Sequence, residues 1–250
     1  GGVPCPPFSV AGKQLGAKDE RDLFPEALRL TDEIRPRAVM LENVRGFLDP
    51  EFEGYRKRLF GQFRKLGYKT DIKLLQASDY GVPQLRPRVV IVALRSDDAD
   101  HFAWPEKLNT HAPTVGNTLL DLMAANKWRG AKQWAEGAQA IAPTIVGGSK
   151  KHGGPDLGPS RARKAWAQLG VNGGTIAEFA PDRDFSDMPK LTVRMVARIQ
   201  GFPDDWHFTG RKTSAYRQVG NAFPPPVAQA VGQSILQMFE VAAHRSVMVA

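Results

Sequence analysis

The sequence predicts an α/β fold with a largely parallel sheet, into which a small, irregular, basic domain is set. Three observations point there. Strand-like and helix-like segments alternate up to about residue 96; from about Asp97 to Asp187 the texture changes to Gly, Pro, Lys and Arg with weak periodicity; and regular pattern returns from Leu191. The expected organisation is therefore 1–96 as part of a core, 97–188 as the inserted domain, and 189–250 as a return to the core ending in a helix.

The chain opens in a Pro/Gly-rich loop, so no element is completed before Cys5. Leu23, Ala27, Leu30 and Ile34 recur at helical spacing, and that helix must stop before Pro36. Ala38 to Leu41 is an apolar run that reads as a buried strand ending in Glu42-Asn43. Phe52, Tyr55, Leu59, Phe63 and Leu66 line one face of a second helix, with Gly67 placed to cap it. Tyr68 to Leu75 alternates like a strand, and Val89 to Leu94 is a second apolar strand. After the inserted domain, Leu191, Met195 and Ile199 mark a helix closed by Gly201 and Pro203. A last helix carries Val227, Val231, Ile235 and Met238, with Pro224 to Pro226 before or at its first turn, where a missing N–H costs nothing.

The 250 residues are enough to bury a real core. No apolar run spans a bilayer and the start lacks the layout of a signal peptide, so a soluble, cytoplasmic protein is expected. One cysteine excludes an intrachain disulfide, and five scattered histidines show no zinc-like spacing. A net charge of +8 favours a polyanionic partner. Eight basic residues against two acids between Lys127 and Lys164 place +6 of it in 38 residues, although a basic surface is often only solvated. Trp128, Trp134 and Trp166 in that region read as core rather than as platforms for stacked bases, because a small domain poor in aliphatic clusters needs large apolar side chains.

Four short segments have chemical potential. Pro4-Cys5-Pro6-Pro7-Phe8-Ser9 lies in a loop where an α/β sheet would place a ligand, at a strand's carboxyl end, although a lone cysteine near a terminus is more often without a role. Glu42-Asn43-Val44 ends the next strand in the same way; an acid there is often only a hydrogen-bonding group. Gln84-Leu85-Arg86-Pro87-Arg88 precedes the Val89 strand, and in an extended segment its two arginines point to one side, the bland alternative being a charged strand entrance facing solvent. Gly220-Asn221-Ala222-Phe223-Pro224 is a helix-entry turn with free N–H groups, which simple capping would also explain.

Taken in order, PCPPFS, ENV, QLRPR, LTVRMVARIQGFP and GNAFPPPVA resemble the motifs of the DNA cytosine-5 methyltransferases, and the resemblance covers nearly all of residues 1–240. It implies a Rossmann-like methyltransferase fold, incomplete here because its first strands are missing, with a small irregular target-recognition domain. It implies S-adenosylmethionine as cofactor and double-stranded DNA as partner, a monomer, and in some members a cognate restriction endonuclease.

By that resemblance Cys5 adds to carbon 6 of a flipped cytosine, Glu42 protonates ring nitrogen 3, and Arg86 and Arg88 hold the base's carbonyl oxygen. Pro4, Leu23, Asn221 and Ala222 are the implied cofactor contacts. Ser9, Lys13, Asn43, Gln84, Arg161 and Arg163 are the implied DNA contacts. The Phe-x-Gly-x-Gly-type turn with which the family begins does not stand before Cys5. The expectation is a piece of a longer chain, or one half of a two-chain enzyme, inactive alone. The competing readings are a non-catalytic DNA-binding module, a tRNA methyltransferase of the same fold, and a thiol hydrolase. The last would need a histidine partner for Cys5, and none stands near a recognisable motif.

Overall fold

A computed structural model describes residues 1–4, 22–147 and 154–249, so that Cys5, Ser9, Lys13, Lys150 and Lys151 lie outside the described residues. Two compact units result: Gly1–Leu75 with Pro87–Glu106 and Ala228–Ala250, and Gln76–Arg86 with Lys107–Val227.

The first unit holds helix α1 (Phe24–Ile34), strand β1 (Ala38–Val44), helix α2 (Glu53–Lys65), and strands β2 (Tyr68–Gln76) and β3 (Pro87–Arg95). Helix α1 begins where Asp22 Oδ1 accepts from Phe24 N at 3.0 Å, and it ends at Arg35, which is left-handed at φ 51° ahead of Pro36. Its predicted apolar face is not the buried one. Leu23, Leu30 and Ile34 are exposed, whereas Phe24 and Thr31 are buried. Phe24 wins that competition because two aromatic partners await it, Phe47 stacked at 5.1 Å and Tyr55 edge-on at 5.9 Å. In α2 the predicted face does pack: Phe52, Leu59 and Phe63 are buried, and Gly67, at φ +89°, closes the helix with its N–H donating to Arg64 O.

The three strands are ordered β1-β3-β2. Central β3 is buried from Val89 through Leu94, as its continuous apolar run requires. Strands β1 and β3 are antiparallel, with Glu42 opposite Val90 and Val44 opposite Arg88. In the first unit, parallel pairing among the described residues is confined to the Gly2–Glu42 bridge, where Glu42 N donates to Gly1 O (3.0 Å) and Val3 N to Glu42 O (3.3 Å). The expected largely parallel sheet is corrected accordingly: an apolar run announces burial on both faces and says nothing about strand direction.

The second unit contains helices α3 (Val115–Met123), α4 (Ala131–Gly137), α5 (Ser160–Gln168), α6 (Val193–Ile199) and α7 (Lys212–Asn221). Helix α8 (Pro225–Val249) begins with prolines in its first turn. Among its described residues, the region read as irregular thus contains three α-helices of seven to nine residues, too short to show a period. Trp128, Trp134 and Trp166 belong to the core of this unit; Trp134 Nε1 donates to Gly170 O at 3.0 Å and Trp128 Nε1 to Phe185 O at 2.8 Å. Residues 191–227 group with this unit by contact. No helix among the described residues is long and apolar enough to cross a membrane.

Candidate functional site

In the first unit, β1 runs through Val44, so Glu42 and Asn43 lie within the strand rather than after it. The antiparallel register brings Arg88, on β3, beside Glu42: Arg88 Nε is 2.6 Å from Glu42 Oε1, with both side chains nearly nine-tenths buried. A second donor of the same guanidinium, NH1, bonds Pro87 O at 2.8 Å. Because Gly1 to Val3 pairs alongside Glu42, the chain leaves that pairing at half-buried Pro4, one residue before Cys5. A carboxylate and a guanidinium held together can exchange a proton and stabilise charge; Cys5 itself lies outside the described residues.

Asn43 is 1% exposed; its Oδ1 accepts from Val44 N at 2.8 Å, and its amide nitrogen has no partner among the described residues.

In the second unit, a buried polar network occupies the other end of the QLRPR segment. Gln84, Arg86 and Gln200 are each 0% exposed. Arg86 donates to Ile145 O (2.6 Å), Gly220 O (2.7 Å), Ala222 O (3.1 Å) and Gln84 Oε1 (3.3 Å). Gln84 donates to Gln200 Oε1 (2.6 Å) and accepts from Ile145 N (2.9 Å); Gln200 Nε2 donates to Ala222 O (2.6 Å). Gln84, expected at the DNA, is buried within this network, and Arg86, expected at the base, donates to three backbone carbonyls and to the Gln84 side chain. Arg86 stands before β3 and groups with the second unit, whereas Arg88 is inside the strand, and the two side chains have different partners.

The network surrounds the turn at the end of α7. Asn221 is exposed and Ala222 half-buried. Gly147 lies so close that a Cβ there would meet Asn221 Oδ1 at 2.5 Å and Asn221 N at 2.8 Å, and a Cβ on Gly220 would meet Gly147 Cα at 2.5 Å; two glycine backbones touch where no side chain fits. Tyr216, on α7, reaches Val146 O at 3.0 Å and Asp156 O at 2.5 Å. Burial, reinforced by the Asp156 carboxylate, pushes its phenol above the ordinary value, so it stays a neutral donor. Sequence reasoning missed Gln200 and Tyr216, and gave the Gly147 backbone a close approach to a groove of DNA; Gln200 stood in view within RIQGFP, where only the isoleucine, glycine and proline were given meaning.

Of the other expected residues, Leu23 is 47% exposed at the start of α1, and Arg161 and Arg163 are exposed on α5 together with Lys164.

The sequence matches the C-5 cytosine-specific DNA methylase family over residues 1–237, and the chain belongs to that family. It is 60% identical over 238 residues to the Type II methyltransferase M.NaeI of Lentzea aerocolonigenes, covering 94% of this chain and 57% of that protein. It is 55% identical over 240 residues to the Type II methyltransferase M.NgoMIV of Neisseria gonorrhoeae, covering 95% and 76%. The chain thus spans about half to three quarters of the length of these relatives. Among solved structures, an Escherichia coli prophage-encoded DNA modification methyltransferase superimposes with a TM-score of 0.57 at 21% identity (96% of this chain, 78% of that one). An Entamoeba histolytica methyltransferase gives 0.59 at 15% (94% and 75%). Both likenesses concern the fold, which is mixed α/β with a small sheet.

Proposed function

We propose that the full-length protein is an S-adenosylmethionine-dependent DNA methyltransferase acting on carbon 5 of cytosine. The observation that supports it most directly is the Glu42–Arg88 pair, 2.6 Å apart, on strands whose pairing also leads the chain into Pro4-Cys5. Carbon 5 of cytosine is a weak nucleophile. Addition of the Cys5 thiolate to carbon 6 turns the ring into an enamine-like nucleophile, and it is easier if Glu42 delivers a proton to ring nitrogen 3 as electrons arrive. Arg88 offers its positive charge to the carbonyl oxygen of the base and to the thiolate. The target atoms are inaccessible in a duplex, so the cytosine is flipped out. After methylation a water molecule takes the proton from carbon 5, the Cys5 thiolate is expelled as the leaving group, and the Glu42 carboxylate recovers the proton from ring nitrogen 3.

The cofactor supplies an electrophilic methyl group. Exposed Leu23 offers an apolar surface suited to a purine face, Asn221 an accessible amide suited to a polar group, and Pro4 and Ala222 backbone groups at element ends. These residues fit such a ligand in kind. The region around α5, with Arg161 and Arg163, serves target recognition, and the Type II designation of the relatives supports a cognate restriction endonuclease. Those relatives, at 55–60% identity, favour DNA over RNA as substrate.

The test is covalent capture. A duplex carrying fluorine at carbon 5 of the target cytosine cannot lose a proton there, so the full-length protein with cofactor should stay bound to it through denaturing electrophoresis. The Cys5→Ala protein should bind the duplex and not be captured. Capture of the Cys5→Ala protein would remove Cys5 from the mechanism.

A further inference from the structure

We infer that Gln200 is a positioning residue for the cofactor turn: it holds the Ala222 carbonyl, and thereby presents Asn221 in the conformation that takes S-adenosylmethionine. This inference rests on the reading of Asn221 as a cofactor contact.

Helix α7 ends at Asn221 and the backbone becomes extended at Ala222, which leaves the last carbonyls of the helix without partners inside it. Side chains satisfy them. Arg86 takes Gly220 O at 2.7 Å, and Ala222 O accepts from both Arg86 (3.1 Å) and Gln200 (2.6 Å). Gln200 is 0% exposed, so it touches no ligand and acts only through what it holds.

Both ends of its amide are engaged, Nε2 with Ala222 O and Oε1 with Gln84 Nε2, so its orientation is fixed and a flipped amide would break two short bonds. The next residue, Gly201, is left-handed at φ +87°, and a Cβ there would lie 2.7 Å from Pro226 Cδ. Thus adjacent residues at the end of α6 grip the turn at two points, Ala222 and Pro226. The side chain of Asn221, between the carbonyls of Gly220 and Ala222, is left exposed.

The same network reaches Ile145 through both Gln84 and Arg86. Fixing the turn therefore also fixes the segment whose Gly147 backbone abuts Asn221.

The experiment measures binding of S-adenosylhomocysteine and of the cognate duplex, separately, to full-length protein carrying Gln200→Met or Asn221→Ala. Methionine keeps the volume and removes the hydrogen bonds. Gln200→Met should raise the Kd for S-adenosylhomocysteine about three- to tenfold, the effect of one buried hydrogen bond, leave the Kd for duplex within about twofold, and still unfold cooperatively. Asn221→Ala should weaken the same ligand. If Asn221→Ala leaves its affinity unchanged, the cofactor reading of that residue fails and the inference with it. A weakened Asn221→Ala beside an unaffected Gln200→Met overturns the inference alone, and equal losses for both ligands in Gln200→Met overturn it in favour of general packing. Should Gln200→Met not fold, Gln200→Asn, whose shorter amide reaches at most one partner, is held to the same comparison.

Discussion

Two residues apart in QLRPR, two arginines serve different ends. Arg88, on β3 of the first unit, faces one carboxylate across a strand pair; Arg86, in the second unit, is enclosed by carbonyls from residues 145, 220 and 222. The first is paired with an ionisable group, whereas the second is bonded to neutral backbone carbonyls, whose charge does not change. A buried guanidinium that donates to three backbone carbonyls is a structural cross-link. One paired with a single ionisable group can exchange that partner for a substrate.

The strongest way to press this contrast is at the partner of Arg88. Glu42→Gln keeps size and most hydrogen bonding but cannot deliver a proton, so single-turnover methyl transfer should fall about a hundredfold to ten-thousandfold, with duplex affinity little changed. A rate within about threefold of the parent would leave Glu42 as a structural acid and dissolve the difference between the two sites.

Exchanging each arginine for methionine then sets the units directly against each other. Arg88→Met should lower the transfer rate about a hundredfold or more, as loss of a positioned donor does. Arg86→Met should lose about 3 kcal/mol of stability, since it strands several buried carbonyls at once. Denaturant midpoints and single-turnover rates, measured on both proteins, give the crossing. If the two substitutions act alike on both quantities, the distinction is wrong.

Which arginine does which was not legible in the sequence. Spacing within QLRPR suggested a common side only because the segment was taken as one extended stretch, and the boundary of β3 at Pro87 separates them. The α2 face was readable because Leu59 and Phe63 lie on a helix long enough to show its period, with Phe52 at its N-cap. The face of α1 was misread because Leu23, Leu30 and Ile34 outnumber the one side chain, Phe24, that has aromatic partners. The order of the five motifs was enough to place the family, since it is a property of the chain alone. The contacts of Gln200 depend on residues 22 positions later and 116 earlier, and no local pattern encodes such a pairing.

The smallest effect expected concerns the surface of the second unit. Helix α5 exposes Arg161, Arg163 and Lys164 and buries Trp166, so its charged side chains are displayed by a helix whose seat in the core is aromatic. If these charges neutralise phosphates, each releases condensed counterions, and the dependence of log K on log salt falls by about 0.9 per lost contact. Changing Arg161 and Arg163 together to Gln should therefore reduce that slope by about 1.8 if both make such contacts. Cognate and scrambled duplexes should weaken alike, and the transfer rate at saturating DNA should be unchanged. A base-reading arginine behaves otherwise, because its loss costs about 1–3 kcal/mol at one base pair and spares the scrambled duplex. Titrations of both duplexes at several salt concentrations separate the two cases. An unaltered slope removes α5 from the phosphate interface, and a selective loss on the cognate duplex makes Arg161 or Arg163 a reader of sequence. The latter result would give the second unit an arginine with a changeable partner, and would confine the contrast to the buried pair in QLRPR.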